Sequence, residues 1–345
     1  MARKALVTGG TGCIGAEATY ELSWKGSFDE ILVLSRSGNP GLLNLWFEDG
    51  LPENLRFVPG DISDLDCPPR VLQEEKPSHI LHLAALQSPA CAANPVQGAM
   101  INVVGTTALY EAARKLAEQG VLERVVDASS AAVYGPRDMY AMETIPETVV
   151  RQAPNLYGAW KIAGEEVARL FQESTGVPTI SLRLNTTYGP GRDAGMTSAP
   201  TTAMKAIALG KHRGEKIPFR MPYGFDGGRE NYHWVGDVGA SFAHCVFDPF
   251  EGREVFNIRG ETIPIENFLG VIRRAADEMD LGDFVDIGIA DDAAPALFIC
   301  DLDHSAFDAA FPNVPFTRIE QGVPLALKRF VAMAEQGTLA ELPKV

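Results

Sequence analysis

The sequence predicts an α/β protein organised on a doubly wound parallel sheet, with a smaller C-terminal α/β domain, and three observations predict it. An apolar run, Ala5-Leu6-Val7-Thr8, enters a glycine-rich turn and leaves as a helix. Apolar and β-branched runs then alternate with amphipathic stretches as far as residue 185, the pattern of parallel strands covered by helices on both faces. After Tyr188-Gly189-Pro190-Gly191 the alternation loosens into Gly/Pro-rich connections, which marks a second region.

The glycine turn gives the first hint of chemistry. In Gly9-Gly10-Thr11-Gly12-Cys13-Ile14-Gly15 the glycines at 9, 12 and 15 fall where a dinucleotide site needs them. One permits the tight turn, one lets the backbone approach a pyrophosphate, and one lets helix and strand pack closely. The helix that follows offers free N–H groups and a partial positive charge to phosphates. A glycine triplet alone is a weak signal, and the flanking strand and helix supply the missing context. The sheet is therefore read as Rossmann-type.

Ile31-Leu32-Val33-Leu34 forms the second strand and ends at Ser35-Arg36-Ser37-Gly38. An NAD site usually carries an acidic side chain here for the ribose 2′-OH. This chain has Ser35 and Arg36 instead, which favours a 2′-phosphate and hence NADP over NAD. Leu55–Ile62 reads as the third strand and its exit, with Asp61 at the carboxyl end where ligands gather, or alternatively capping the next helix. His79–Ala85 is the fourth strand, ending in small residues that let a cofactor lie close, and its His82 is a core histidine. Asn102–Ala113 is an amphipathic helix, Val125–Ser130 the fifth strand, and Thr179–Leu184 the sixth. Segments near Tyr232–Asp237 and Val255–Ile258 read as returns to the sheet. The expected domains are a dinucleotide-binding one over 1–185, with a returning segment at about 231–260, and a substrate domain from 186–230 and 261–345.

Composition narrows the partners. Hydrophobic content of 46% and charged content of 22% are those of an ordinary globular chain of one large or two intimate domains. A net charge of −15 argues against nucleic acid or an anionic membrane surface. The five cysteines are scattered without metal-like spacing, so no metal site is expected and the thiols read as reduced, in a cytoplasmic protein. Met1-Ala2-Arg3-Lys4 runs straight into a strand, so no signal peptide is expected, and no apolar run has bilayer-spanning length.

Tyr157 and Lys161 stand four apart on a helix opened by Pro154-Asn155, so both project from one face. A phenol is too weak an acid to serve as a base unaided, and an adjacent ammonium favours the phenolate. That phenolate takes a proton from a substrate hydroxyl while hydride leaves for the cofactor. Ser130, ending the preceding strand, is placed to hold the same oxygen. The competing reading is a solvated ladder of Tyr157, Lys161 and Glu165.

Together these stretches resemble the extended short-chain dehydrogenase/reductase superfamily, in its NAD-dependent epimerase/dehydratase branch. The resemblance rests on Thr8–Gly15, Gly60-Asp61-Ile62, His82–Ala85, Asn102–Thr106, Ser129–Gly135, Tyr157–Lys161 and Arg183–Gly191. It implies Ser130, Tyr157 and Lys161 as the catalytic set, with Lys161 also on the nicotinamide ribose and Asp61 beside the adenine. Cofactor contacts are expected along Gly9, Thr11, Gly12, Cys13, Ile14, Gly15, Ser35, Arg36, Ser37, Asp61, Ile62, Leu83, Ala84, Ala85, Tyr157, Lys161 and Leu184. Homodimers through the helices near Asn102 and Tyr157 are implied as well.

Departures from the family pattern shape the substrate expectation. Dehydratases of the family place an Asp-Glu pair directly after the catalytic Ser/Thr, where this chain has Ala131 and Ala132. Thr186 replaces an asparagine, Glu230 falls where an arginine is usual, and no basic motif lies near Asp291-Asp292. A diphosphate normally meets arginines in bidentate contact. The reading is therefore an oxidoreductase acting at a secondary alcohol of a sugar, sugar acid or polyol without a nucleotide diphosphate, contacted by Gln87, Ser130, Thr186 and Glu230. The alternatives are a nucleotide-sugar 4-epimerase with a tightly held cofactor, and a non-catalytic dinucleotide-binding regulator.

Overall fold

The computed structural model describes residues 2–47, 49–296 and 299–342. In chain order its strands are β1 (Lys4–Thr8), β2 (Glu30–Ser35), β3 (Leu55–Pro59), β4 (His79–His82), β5 (Arg124–Ser130), β6 (Thr179–Leu184), β7 (Thr186–Tyr188), β8 (Phe219–Tyr223), β9 (Arg229–Trp234), β10 (Arg253–Asn257), β11 (Glu261–Pro264) and β12 (Ile287–Ala294). The helices are α1 (Cys13–Lys25), α2 (Cys67–Glu75), α3 (Ser88–Ala93), α4 (Pro95–Ala99), α5 (Thr106–Glu118), α6 (Leu156–Thr175), α7 (Ala199–Arg213), α8 (Val235–Phe247), α9 (Ile265–Glu278), α10 (Ser305–Ala310) and α11 (Ile319–Glu335). A π-helical turn, Met100–Gly105, joins α4 to α5.

Two compact units result. The larger holds the chain up to Leu184 together with Gly236–Arg259 and Leu302–Pro315. Its seven strands run parallel in the order β10-β6-β5-β4-β1-β2-β3. The order reverses between β1 and β4, which opens a crevice at their carboxyl ends. Alternate strand residues bury on opposite faces. Ala5, Val7, Ile31, Val33, Leu81 and Val126 pack with Ala18 and Leu22 of α1 and Phe242 of α8. Leu6, Leu32, Ile80 and Val125 pack with Val71 of α2, Leu109 of α5 and Phe171 of α6. Burial on both faces is why these strands read as continuous apolar runs. The Rossmann-type sheet predicted from sequence is thus present, and the return near Val255–Ile258 is its seventh strand, β10, parallel to β6.

The smaller unit holds Asn185–Val235, Gly260–Asp301 and the chain from Phe316 onward. It contains a three-stranded sheet, β11-β9-β7, and a two-stranded one, β12-β8. The sequence reading differs here in two places. Tyr232–Trp234 does not itself join the parallel sheet, because β9 pairs with β7 and β11 and Tyr232 stacks on Phe268 of α9 with centroids 4.0 Å apart, and the chain returns to the larger unit only from Gly236. Residues 302–315, read with the substrate domain, cluster instead with the larger unit. There Phe307 and Phe311 pack on Phe256 (5.9 and 5.8 Å between centroids), and Arg259 bonds Asp308 at 2.8 Å.

Candidate active site

The turn between β1 and α1 is shaped by what a side chain would strike. Gly9 has φ +72°, and a Cβ there would lie 2.8 Å from the Ala84 nitrogen. A Cβ on Gly15 would lie 2.0 Å from the Gly9 carbonyl oxygen, so α1 starts hard against the turn. Gly10, which the sequence reading passed over, also lacks room, with Val33, Thr19 and Val7 side chains at 3.0–3.1 Å. Gly12 precedes α1 without a side-chain cap, and no acidic residue stands in the first helical turn. The first turn of a helix directs N–H groups without intrahelical partners along its axis, and a cradle of this shape fits a dinucleotide pyrophosphate. Thr11 and Cys13 flank it, and Ile14 packs on the core beneath.

Around the crevice the structure places the remaining expected cofactor contacts at strand ends. Ser35 ends β2, buried, and its hydroxyl accepts from the Gly38 N–H (3.1 Å), while Arg36 and Ser37 are exposed. Asp61 does not cap α2, whose N-cap is Asp66. It accepts instead from the N–H and hydroxyl of Ser63 at 2.9 and 2.8 Å. Burial opposes ionisation of Asp61, but those bonds and the Arg36 charge outweigh it and hold the carboxyl below its usual range. Ile62 is buried, Leu83 and Ala84 are half-buried beyond β4, and Leu184 pairs in register with Ser130. Ala85 follows on the same strand exit. His82 is a core histidine, as read. Its ring nitrogens meet the Thr8 and Thr106 hydroxyls at 2.7 and 2.9 Å, and burial lowers its pKa to about 3.

Ser130, Tyr157 and Lys161 sit on β5 and α6, which several contacts tie together. Asn155 caps α6, accepting from the Gly158 N–H at 2.9 Å. Lys161 Nζ donates to the Ala128 carbonyl (2.7 Å) and lies 5.5 Å from the Tyr157 ring centroid. Ser130 Oγ accepts from the Ala132 N–H at 3.1 Å, starting the short 3₁₀ turn Ala131–Val133. Gly158 rests on that turn so closely that a Cβ would lie 2.0 Å from the Ala132 oxygen.

Glu165, placed on a solvated ladder in the competing reading, is fully buried. It accepts from Ser129 Oγ (2.6 Å), Arg183 Nε and Nη2 (2.7 and 2.8 Å) and Arg151 Nη1 (2.7 Å). Burial would raise its pKa, but Arg183 first, then Ser129 and Arg151, hold the carboxyl ionised below the usual range. Its partners lie far off in sequence, so no local spacing announces them. A small cavity is lined by Lys161, His82, Asn102, Asp127, Trp160 and Glu165 among others. Burial raises the Asp127 pKa to about 6 there.

The other expected substrate contacts are placed differently. Gln87 stands at the start of α3, as its N-cap residue. Thr186 and Glu230 belong to the smaller unit, 0% and 1% exposed, and the Thr186 hydroxyl donates to the Glu230 carboxylate. Burial pushes the Glu230 carboxyl up to about 7, against the Thr186 hydroxyl, the phenols of Tyr223 and Tyr232, and the Arg192 charge. Glu230 is therefore a buried carboxyl bonded to a neighbouring hydroxyl and drawn toward its neutral form. Among the described residues no metal-ligating cluster occurs, and no helix is long and apolar enough to cross a membrane.

A parallel sheet with a glycine cradle, and a Tyr-x-x-x-Lys helix tied to the neighbouring strand end, define a dinucleotide-binding enzyme of the extended short-chain dehydrogenase/reductase type. The chain belongs to the NAD dependent epimerase/dehydratase family, whose model matches residues 5–258. It is 32% identical over 265 residues to UDP-glucose 4-epimerase of Mycolicibacterium smegmatis, covering 74% of this chain and 76% of that protein. It is 29% identical over 220 residues to dTDP-L-rhamnose 4-epimerase of Burkholderia thailandensis, covering 55% of this chain; the match spans 59% of that relative's length. Among solved structures, UDP-glucose 4-epimerase of Thermus thermophilus in complex with NAD superimposes with a TM-score of 0.74 at 26% identity, covering 95% of this chain and 98% of that one.

Proposed function

We propose that the chain is a nucleotide-sugar 4-epimerase that oxidises a sugar alcohol and reduces it again without net redox change. The observation that carries this reading is the tie between Lys161 and Ala128, which seats the Tyr157–Lys161 helix against the strand end bearing Ser130. The relatives named above are epimerases of nucleotide sugars by name. The nucleotide-free substrate favoured by sequence is therefore set aside. Its electrostatic ground also weakens, because Glu230 is bonded to Thr186 and its raised pKa leaves it partly neutral at neutral pH.

Tyr157 is the proton acceptor from, and donor to, the substrate hydroxyl. Lys161 Nζ lies 5.5 Å from the Tyr157 ring centroid, and Ser130 holds the reacting oxygen. The residues that would hold the cofactor are Gly9, Gly12, Gly15, Asp61 and Lys161, and a bound nicotinamide supplies the acceptor and donor of hydride. Water elimination, the dehydratase outcome, needs an acid and a base beside Ser130. Ala131 and Ala132, buried at 2% and 1% exposure, supply neither. Ser35 and the exposed Arg36 support a preference for NADP. A homodimer and a cytoplasmic location complete the reading, the former supported by exposed Val96, Leu156 and Leu170 on α4 and α6.

The test is incubation with UDP-glucose, UDP-galactose and their dTDP counterparts. Interconversion without accumulation of reduced nicotinamide supports epimerisation. Stoichiometric accumulation refutes it in favour of net dehydrogenation. Absence of thermal protection by UDP, dTDP or GDP in the presence of cofactor refutes the nucleotide-sugar class.

A further inference from the structure

We propose that Glu165 is a positioning residue, whose carboxylate holds the strand end carrying Ser130 in register with the helix carrying Tyr157 and Lys161. The inference rests on the roles proposed above for those three residues. Glu165 lies one helical turn beyond Lys161 and two beyond Tyr157 on α6, with its side chain 0% exposed. Its two oxygens take four donors from three places in the larger unit: Ser129 on β5, Arg183 on β6, and Arg151 ahead of α6. A carboxylate has about four acceptor sites, so this one is saturated.

The geometry reaches Ser130 through its neighbour. Successive strand side chains point to opposite faces, so fixing the Ser129 hydroxyl fixes the direction in which Ser130 leaves the strand. Lys161 on Ala128 is a second tie from the same helix, one residue further back. Arg183 extends the hold beyond Ser130, donating at 2.7 Å to the Tyr134 hydroxyl, which in turn donates at 2.7 Å to Asn257. The turn after Ser130 is thereby held from both ends. Stability alone is a poor account of such a cluster. Well-packed apolar replacements of a buried ion network are often neutral or stabilising, whereas a fixed relative geometry does require it.

Removing Glu165 outright would strand two arginines and confuse folding with positioning. Ser129→Ala cuts one link and leaves the Glu165–Arg183–Arg151 pairing whole. In the full-length protein we expect kcat to fall about 10- to 100-fold, the range for a small misplacement of reacting groups. KM should stay within about twofold, and the acid limb of the pH–rate profile should not move, since no charge is lost. Ser129→Thr, which keeps the hydroxyl, should restore kcat. Amide hydrogen exchange across residues 128–134 should quicken in Ser129→Ala and not in Ser129→Thr. Unchanged kcat and exchange in Ser129→Ala, or equal losses in both variants, would overturn the inference. Tyr157→Phe is the control: if it is inactive while Ser129→Ala is unaffected, only the positioning role falls. If Tyr157→Phe stays active, the catalytic reading beneath it falls, and the exchange data still decide whether Ser129 holds the strand end.

Discussion

Gly158→Ala tests whether the separation of α6 from the Ser130 turn is what catalysis depends on. An added Cβ would lie 2.0 Å from the Ala132 oxygen, 2.8 Å from the Ala132 carbonyl carbon and 3.0 Å from the Ala153 Cβ. An ordinary carbon–oxygen contact is about 3.3 Å, so helix and turn must part by about 1.3 Å. The obstacle is backbone within a buried turn, and no side chain can swing aside to relieve it. Overpacking of this kind costs about 1–3 kcal/mol. Replacing Gly by Ala in a helix returns about 1 kcal/mol, so the net loss of stability is about 0–2 kcal/mol. Turnover should suffer more: a displacement of about 1 Å between reacting groups costs about 100-fold. That corresponds to about 2.7 kcal/mol of barrier. Urea unfolding and steady-state turnover, measured on the same preparation, separate the two. A variant with turnover within about threefold of the parent would refute the argument, as would one that loses turnover only in proportion to its unfolded fraction.

Other outcomes follow from the same geometry. Tyr157→Phe should leave the melting temperature and cofactor affinity nearly unchanged and cut kcat by about 100-fold or more, checked by calorimetric titration beside turnover. Arg36→Ala should weaken NADP binding about tenfold and leave NAD binding nearly unchanged; equal effects on both would remove Arg36 from the ribose site. Glu230 has its folded-state pKa raised from 4.5 to about 7, so the stability it contributes is complete at low pH and is lost as pH rises through that window. Glu230→Gln should therefore gain melting temperature over the parent at about pH 8 but not at about pH 5, and a difference independent of pH would refute the assignment.

What was legible in the sequence is what local spacing encodes. The glycine turn, the six strands before residue 185 and the Tyr157–Lys161 face depend on neighbours within one turn or one strand, and the structure holds all of them. The exit from that regime explains the misses. Tyr232–Asp237 has a strand-like beginning, yet its partners, β7 and β11, are set by pairings no periodicity reveals. Residues 302–315 join the larger unit through Phe307, Phe311 and Asp308, whose partners lie some fifty residues back. Glu165 is the sharpest case. Its i, i+4 spacing from Lys161 fits a solvated ladder, and only the arrival of Arg183 and Arg151 makes burial of its charge tolerable.

The electrostatic argument against a diphosphate rested on Thr186, Glu230 and the missing basic motif near Asp291-Asp292, and it weakens for a related reason. An anionic ligand responds to the charges within a Debye length or so. Across the larger unit's crevice that local charge is mild. The first turn of α1 carries no acidic side chain, and Arg36 lies close enough to Asp61 to lower its proton affinity. Many acidic groups elsewhere face cations already: Glu30 and Glu75 share Arg56, Glu166 bridges Arg151 and Arg169, and Glu335 meets Lys211. In the smaller unit burial pushes the Glu230 carboxyl up to about 7, so one of the three positions counted against phosphate carries less than its formal charge near neutrality. A residue's formal charge argues about a ligand only after its own partners and solvation have been counted, and here that count leaves a nucleotide diphosphate electrostatically admissible.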